Sequence, residues 1–244
     1  MKRLDVYLYE NVFFPSRDKA KEAIVLGIVS VNGKVCTKPA QQIKETDIVE
    51  IVGEKLKYVS RAGLKLEKAR KEWNIEFNNK VVIDVGASTG GFTDFCLQNG
   101  AKKVYAVDVG KDQLHQSLLS NPKVINLEKT DFRTLPSLAD TIDIAVCDCS
   151  FISLKLLSNK FSGILTHGKE LVVLIKPQFE CGKAIADKFK GVIKDEKIHN
   201  EIIKEIILHF KEKGFNLIGY CPSPILGTAG NKEFLAYFKM DKTK

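Results

Sequence analysis

No stretch of the sequence approaches the roughly 18–20 consecutive apolar residues needed to cross a bilayer, which argues against a membrane-spanning protein. The amino-terminal MKRLDVYLYENV mixes charge with apolar residues and lacks the apolar block and small-residue cleavage site of a secretory signal. A cytoplasmic protein is the expectation. The cysteines, Cys36, Cys96, Cys147, Cys149, Cys181 and Cys221, form no CxxC pair and have no histidine at metal-ligand spacing. Neither a metal site nor a disulfide framework is therefore expected. The sequence holds no GxGxxG, no phosphate-loop lysine, no internal repeat and no low-complexity tract, and its tail, MDKTK, reads as frayed.

What is present starts with charge. The 244 residues carry 38 basic against 30 acidic side chains, a net +8. That excess favours a polyanionic partner, although a generically basic protein explains it equally well. Residues 1 to about 52 read as one unit. RLDVYLYENV puts Leu4, Val6, Leu8 and Val12 on a helix face that ends before Phe13-Phe14-Pro15. Ser16 stands as N-cap to RDKAKEAIVLG, with Ala20, Ala23, Ile24 and Leu26 at helical spacing and Gly27 as the stop. IVSVNGKVC alternates through Asn32-Gly33, a strong hairpin signal, and DIVEIVG alternates again. The next stretch, residues 53–75, holds seven basic and three acidic residues. Its Leu64, Leu66 and Ala69 predict a helix packed on a second domain, with Lys65, Lys68, Arg70 and Lys71 elsewhere around it.

From Lys80 the pattern alternates between Val- and Ile-rich runs and helical segments, as a parallel α/β sheet covered on both faces requires. KVVIDVG, KVYAVDVG, KVINLE, IDIAVCD and LVVLIK read as strands. GGFTDFCLQNG and KDQLHQSLL read as helices. KDEKIHNEIIKEIILHFKEKG is an amphipathic helix with Ile198, Ile202, Ile206 and Phe210 on one face, and FNLIGYC and KEFLAYFKM close the domain as strands.

VVIDVGASTGGFTD is a strand, a glycine-rich turn and a helix, which brings backbone close to a ligand at the carboxyl edge of a sheet. A plain structural turn produces a similar string. Asp84 suits a ligand with an ammonium group better than a pyrophosphate, and this points to S-adenosylmethionine. Asp108 is placed to accept from ribose hydroxyls, Asp131 to accept from an adenine amino group, and Phe132 to pack on the ring. Asp148 and Lys176 end two further strands and should project into the same crevice. DCSF is also similar to the Asp/Asn-Pro-Pro-aromatic signature of methyltransferases that act on base amino groups. By itself Lys176 reads equally as a strand-end lysine reaching solvent.

Arg3-Leu4-Asp5, Ser16-Arg17 with Ala20, Gly27, Val29, Val31, Asn32-Gly33 and Lys38-Pro39 together resemble the αL, or S4-type, RNA-binding domain. The resemblance implies that Arg3, Arg17, Lys19, Lys21, Lys34 and Lys38 contact RNA phosphates. With eight basic and seven acidic residues in that block, a solvated charged face competes, and clustering decides between the two.

YVSRAGLKLEKA, DVGASTGGFTD, DCSFISL, LIKPQFE and GTAGNKEF, in that order, resemble the haemolysin A (TlyA) family of ribosomal RNA 2'-O-methyltransferases, whose catalytic domain is of the FtsJ type. The resemblance implies an α/β, Rossmann-like S-adenosylmethionine-dependent methyltransferase domain at 59–244. A small α+β S4-type domain would occupy 1–58, and a basic linker would lie at about 53–60. The family's Lys-Asp-Lys-Glu tetrad falls on Lys65, Asp148, Lys176 and Glu233. Its cofactor loop falls on Asp84 to Gly91, with Gly86, Ser88, Gly90, Gly91 and the following Phe92 as contacts. The implied partner is ribosomal RNA or a ribosomal subunit, without a membrane. The implied target is a cytidine of 23S RNA and, in some members, 16S RNA; the start at the first helix and the short tail resemble the shorter members and favour the large subunit alone.

A ribose hydroxyl is a poor nucleophile at neutral pH, so its proton must be removed or its developing alkoxide stabilised. Lys176 is the expected base or stabiliser, with Asp148 orienting it and Lys65 and Glu233 completing the network. Arg61, Phe151 and Phe179 are candidates for stacking on a splayed-out nucleotide. Two other readings are a pore-forming haemolysin and an RNA-binding assembly factor with a vestigial cofactor site. The lack of a signal or spanning helix weighs against the first, and intact Asp84, Lys176 and Glu233 against the second.

Overall fold

The computed structural model describes residues 1–14, 16–25, 27–52, 57–189, 191–227 and 230–241. Expectations that fall on Pro15, Leu26, linker residues 53–56, Thr228-Ala229 of the GTAGNKEF motif, the end of the tail and the Lys19 side chain lie outside these. The chain divides into two units, Met1–Arg61 and Ala62–Lys244.

In the first unit β1 (Lys2–Arg3), α1 (Leu4–Glu10), α2 (Arg17–Val25), β2 (Val29–Val31), β3 (Lys34–Cys36), β4 (Gln42–Ile43) and β5 (Val49–Ile51) follow in order. Asn32 and Gly33, at φ 52° and 73°, turn β2 into β3, as a two-residue hairpin loop demands. β5 pairs with the other edge of β2. Leu4, Leu8, Ala20, Ala23 and Ile24 from the helices bury against Val29, Val31, Cys36 and Ile43. Val12, expected on the first helix face, lies beyond it: α1 stops at Glu10, and Val12 takes φ 61° and is exposed. The short ribbon of β1 with β4 had no periodicity to announce it, since two residues cannot show one.

The second unit runs α3 (Ala62–Trp73), β6 (Val81–Val85), α4 (Gly91–Gln98), β7 (Lys103–Val107), α5 (Gln116–Leu119), β8 (Val124–Leu127), β9 (Ile144–Cys147), α6 (Leu154–Ile164), β10 (Glu170–Ile175), α7 (Pro177–Glu180), α8 (Lys183–Lys188), α9 (Glu196–Glu212), β11 (Phe215–Pro222) and β12 (Phe234–Met240). The strands form one sheet in the order β11-β12-β10-β9-β6-β7-β8, parallel from β10 to β8, with β12 antiparallel to both neighbours. β6 lies wholly buried, and the side chains of β9 and β10 meet Ile202, Ile203, Ile206 and Phe210 of α9 in the core. The helix expected over KDQLHQSLL is only four residues long. Backbone N–H groups of Gly110 and Asp112 bond the carboxylates of Asp108 and Glu128, and Asp112 takes φ 55°, so the segment before His115 is a turn. α6 went unanticipated, although Ser153 caps it and its Leu154, Leu157 and Phe161 are buried at helical spacing.

Candidate active site

The sheet order reverses between β6 and β9, the place where open α/β sheets leave a crevice at the carboxyl strand ends. Here Gly86 turns the chain at φ 80°. A Cβ on it would lie 2.9 Å from Cys149 Sγ and 3.1 Å from the Asp148 carbonyl, so only glycine lets the two strand ends approach. A cavity of about 580 Å³ opens beside them, lined among others by Gly86, Ser88, Asp108, Asp131, Phe132 and Asp148.

Four side chains from four elements meet at this edge. α3 buries Leu66 and Ala69 and carries Lys65 on the same side, so Lys65 belongs to the packed face rather than to the solvated ones. Its Nζ lies 3.0 Å from Asp148 Oδ2 and 2.8 Å from Glu233 Oε2. Lys176, at the end of β10, places its Nζ 2.6 Å from Asp148 Oδ1, a close ion pair that is not aligned as a hydrogen bond. Its aligned hydrogen bond is donated to Ser150 Oγ at 2.8 Å. Burial alone would raise the Asp148 pKa, but the two ammonium groups outweigh it and hold the carboxyl below its usual range. Burial pulls Lys65 down while Asp148 and Glu233 pull harder, and its pKa is raised. Glu233 is held by its own loop. Asn231, bonded to Gly191 O and Ile193 N, accepts from Gly227 N, and Gly227 lies so near Glu233 that a Cβ there would clash with its carboxylate.

The residue before a proline is pushed to extended backbone. Lys176 obeys, at φ −112° and ψ 99°, and Pro177 then opens α7 at its first position. Glu180, at the end of α7, accepts hydrogen bonds from Ser153 Oγ and Leu154 N, which ties α7 to the start of α6. Phe151 and Phe179, 5.0 Å apart, flank this junction. Phe151 is 90% exposed and takes φ 64°, a left-handed conformation that a bulky residue adopts only at a cost.

The expected cofactor residues fall into two groups. Asp108 follows β7 and accepts Ser88 N at 2.8 Å and Gly110 N at 2.7 Å, which fixes its carboxylate at the cavity wall. Phe132 lines the same wall and packs against Phe161. Asp131 does not end a strand, since β8 stops at Leu127; it caps a short 3-10 turn and pairs with Arg133 at 2.5 Å, so an adenine amino group would share it with that guanidinium. Gly90, Gly91 and Phe92 are not among the residues lining the cavity. A Cβ on Gly90 would strike Leu114 and Leu118, and Phe92 is core. Asp84 sits inside β6, wholly buried, accepting from Thr93 Oγ at 2.7 Å while its Oδ1 has no partner. Ser150, Cys149 and Ile152, which also line the cavity, carried no sequence signal apart from their nearness to Asp148. Among the described residues, no three His, Cys, Asp or Glu side chains gather as metal ligands.

Burial pushes the Asp84 pKa from 3.8 up to about 7. The folded state therefore holds a proton that the unfolded chain has released, and stability falls as pH rises from about 4 to about 7, by up to ~4 kcal/mol. Asp84→Asn removes that slope. At about pH 8 it should be more stable than wild type by roughly 1–3 kcal/mol, the ionisation gain being offset by one orphaned amide. Urea unfolding at about pH 5 and pH 8 checks this, and an equal pH dependence in both proteins would refute it.

In the first unit Arg3 and Arg17 converge on Asp5, at 2.9 and 3.0 Å. Asp5 is wholly buried, and hydrogen bonds from Arg3 foremost hold its pKa at about 2. Two guanidiniums share one carboxylate, so this cluster keeps positive charge at the surface. Lys21 pairs with Asp18, while Lys34, Lys38 and Arg61 are exposed.

A doubly wound sheet with its glycine turn at the switch point, acidic groups along the cavity wall and a buried lysine–carboxylate network defines a Rossmann-like enzyme domain. The chain belongs to the FtsJ-like methyltransferase family, whose model matches residues 58–240, and an S4 domain model matches residues 2–49. It is 38% identical over 240 residues to the 23S rRNA (cytidine-2'-O)-methyltransferase TlyA of Campylobacter jejuni, with 91% of this chain and 94% of that one covered. It is 34% identical over 240 residues to the 16S/23S rRNA (cytidine-2'-O)-methyltransferase TlyA of Mycobacterium tuberculosis, covering 97% and 89%. Among solved structures, a protein described as a hemolysin from Streptococcus thermophilus superposes with a TM-score of 0.78 at 39% identity, covering 99% of this chain and 89% of that one. Among the described residues, no helix is long and apolar enough to cross a membrane.

Proposed function

We propose that this protein methylates the ribose 2'-hydroxyl of a cytidine in ribosomal RNA, with 23S RNA as the substrate, residues 1–58 holding RNA and residues 59–244 carrying the chemistry. The observation that carries the reading is the buried Lys65–Asp148–Lys176–Glu233 network beside the cavity in a chain of the FtsJ-like family. S-adenosylmethionine, when bound, supplies the methyl group. The cavity residues fit it, the fixed carboxylate of Asp108 suiting the ribose diol and Phe132 the ring. Asp84, its Oδ1 unpartnered, is wholly buried in β6 next to the lining residues Val85 and Gly86 and would meet the ammonium end only with that oxygen uncovered.

In its unprotonated form Lys176 takes the hydroxyl proton as the oxygen attacks, Asp148 holds the resulting ammonium in place, and Lys65 with Glu233 fixes Asp148. Phe151, already strained and exposed, and Phe179 offer ring faces to the target base. Arg3 and Arg17, aligned by Asp5, contact phosphates, and Lys21, Lys34, Lys38 and Arg61 extend the basic surface. Mass spectrometry of ribosomal RNA from cells with and without the gene tests the whole reading. One ribose-methylated cytidine of 23S RNA should vanish with the gene and return with it; loss from 16S RNA would enlarge the substrate range, and unchanged ribose methylation would overturn the proposal.

A further inference from the structure

We propose that Ser150 is a positioning and relay residue: its hydroxyl aims the Lys176 amine and carries the reaction's proton from it to solvent in the cavity. This rests on the reading of Lys176 as the group that takes the ribose proton. Methylation of a hydroxyl releases one proton per turnover. As the C–O bond forms and the C–S bond breaks with its electron pair passing to sulfur, the O2' proton moves to Lys176 Nζ. It must leave before the next cycle.

The surroundings of Lys176 narrow the route. The side chains of Lys65, Lys176, Asp148 and Glu233 are 9%, 8%, 13% and 3% exposed, and of the four only Asp148 is among the residues lining the cavity. Both Asp148 oxygens already face ammonium groups, and its pKa is held low, so Asp148 is a poor proton store. Glu233 faces Lys65. Ser150 differs in that its hydroxyl belongs to no ion pair. It accepts the aligned hydrogen bond of Lys176 at 2.8 Å, it is exposed, and it lines the cavity. A hydroxyl both accepts and donates, so Ser150 Oγ can take a proton from Nζ while releasing its own to a cavity water. The left-handed conformation of Phe151 immediately follows it.

The test is single-turnover methyl transfer by the full-length protein to ribosomal RNA or subunits lacking the methyl, across about pH 6 to 9. Ser150→Ala should lower the rate roughly 10- to 100-fold, the size of a lost proton-transfer partner. Added imidazole should restore the rate in proportion to its concentration. Ser150→Thr keeps the hydroxyl and should remain within about threefold of wild type. S-adenosylhomocysteine affinity and melting temperature, measured in parallel, should be nearly unchanged in both variants. The relay is overturned if Ser150→Ala keeps the wild-type rate and pH profile while Lys176→Ala is inactive. It is equally overturned if the Ser150→Ala deficit is indifferent to imidazole or tracks a loss of cofactor binding. A wild-type protein that methylates no ribosomal RNA would instead bring down the functional reading itself.

Discussion

Under the proposed mechanism Lys176→Ala should lower the single-turnover rate of methyl transfer by about 10³-fold or more, because it would remove the amine that accepts the proton and the positive charge that forms on it beside the developing alkoxide. The lysine is 7% exposed, at the end of a core strand, with Pro177 fixing the backbone behind it, so no water or neighbouring side chain can take its place cheaply. Cofactor affinity should change little, since Lys176 is not among the residues lining the cavity. Calorimetric titration with S-adenosylhomocysteine separates the two effects. Lys176→Arg should be nearly as inactive, because a guanidinium stays protonated and cannot accept the proton. Wild-type turnover by either variant would remove Lys176 from the mechanism.

Asp148→Ala should cost folding stability as well as activity. The carboxylate stands between two ammonium groups that are both buried, and its removal leaves Lys176 without an anionic partner and Lys65 with Glu233 alone. Breaking a buried ion network from one side typically costs ~3–5 kcal/mol. In a domain of this size that corresponds to a fall in melting temperature of about 10 °C. Because the folded-state pKa of Asp148 is depressed, its contribution is fully present above the unfolded value near 3.8 and is lost as pH falls through the lower folded value. Wild type and variant should therefore converge in stability only in strong acid. A variant that melts within a degree or two of wild type at neutral pH would show that the network contributes nothing to the fold.

Strand positions were legible because buried parallel strands must be Val- and Ile-rich, and α9 because its apolar residues recur on one face over 17 residues. Short elements were not. α7 and the β1–β4 ribbon are too brief for any period to register, and α5 lost its first turn to competition from the carboxylates of Asp108 and Glu128, groups far off in sequence or folded back on their own loop. A strand end is expected at Asp131; β8 stops at Leu127, and Asp131 instead caps a short turn where Arg133, two residues on, engages it, while still lining the cavity. Gly90 and Gly91 belonged to the same glycine-rich string as Gly86, and only packing separates the glycine that lets two strand ends meet from the one that makes room for Leu114 and Leu118.

The sequence alone determined the alternation of strands and helices, the glycine turn after β6, the extended backbone before Pro177 and the family motifs, since each depends on local sterics, periodicity or an ordered string of residues. The tertiary structure decided which charges meet. Lys65 and Glu233 are 168 residues apart, and they touch because α3 packs its Leu66 and Ala69 into the domain while the loop before β12 closes over Gly227. Ser150 became visible the same way, as the exposed hydroxyl against a buried lysine. Ion pairing falls off steeply with distance and depends on burial, and neither quantity exists until the sheet has brought its strand ends together.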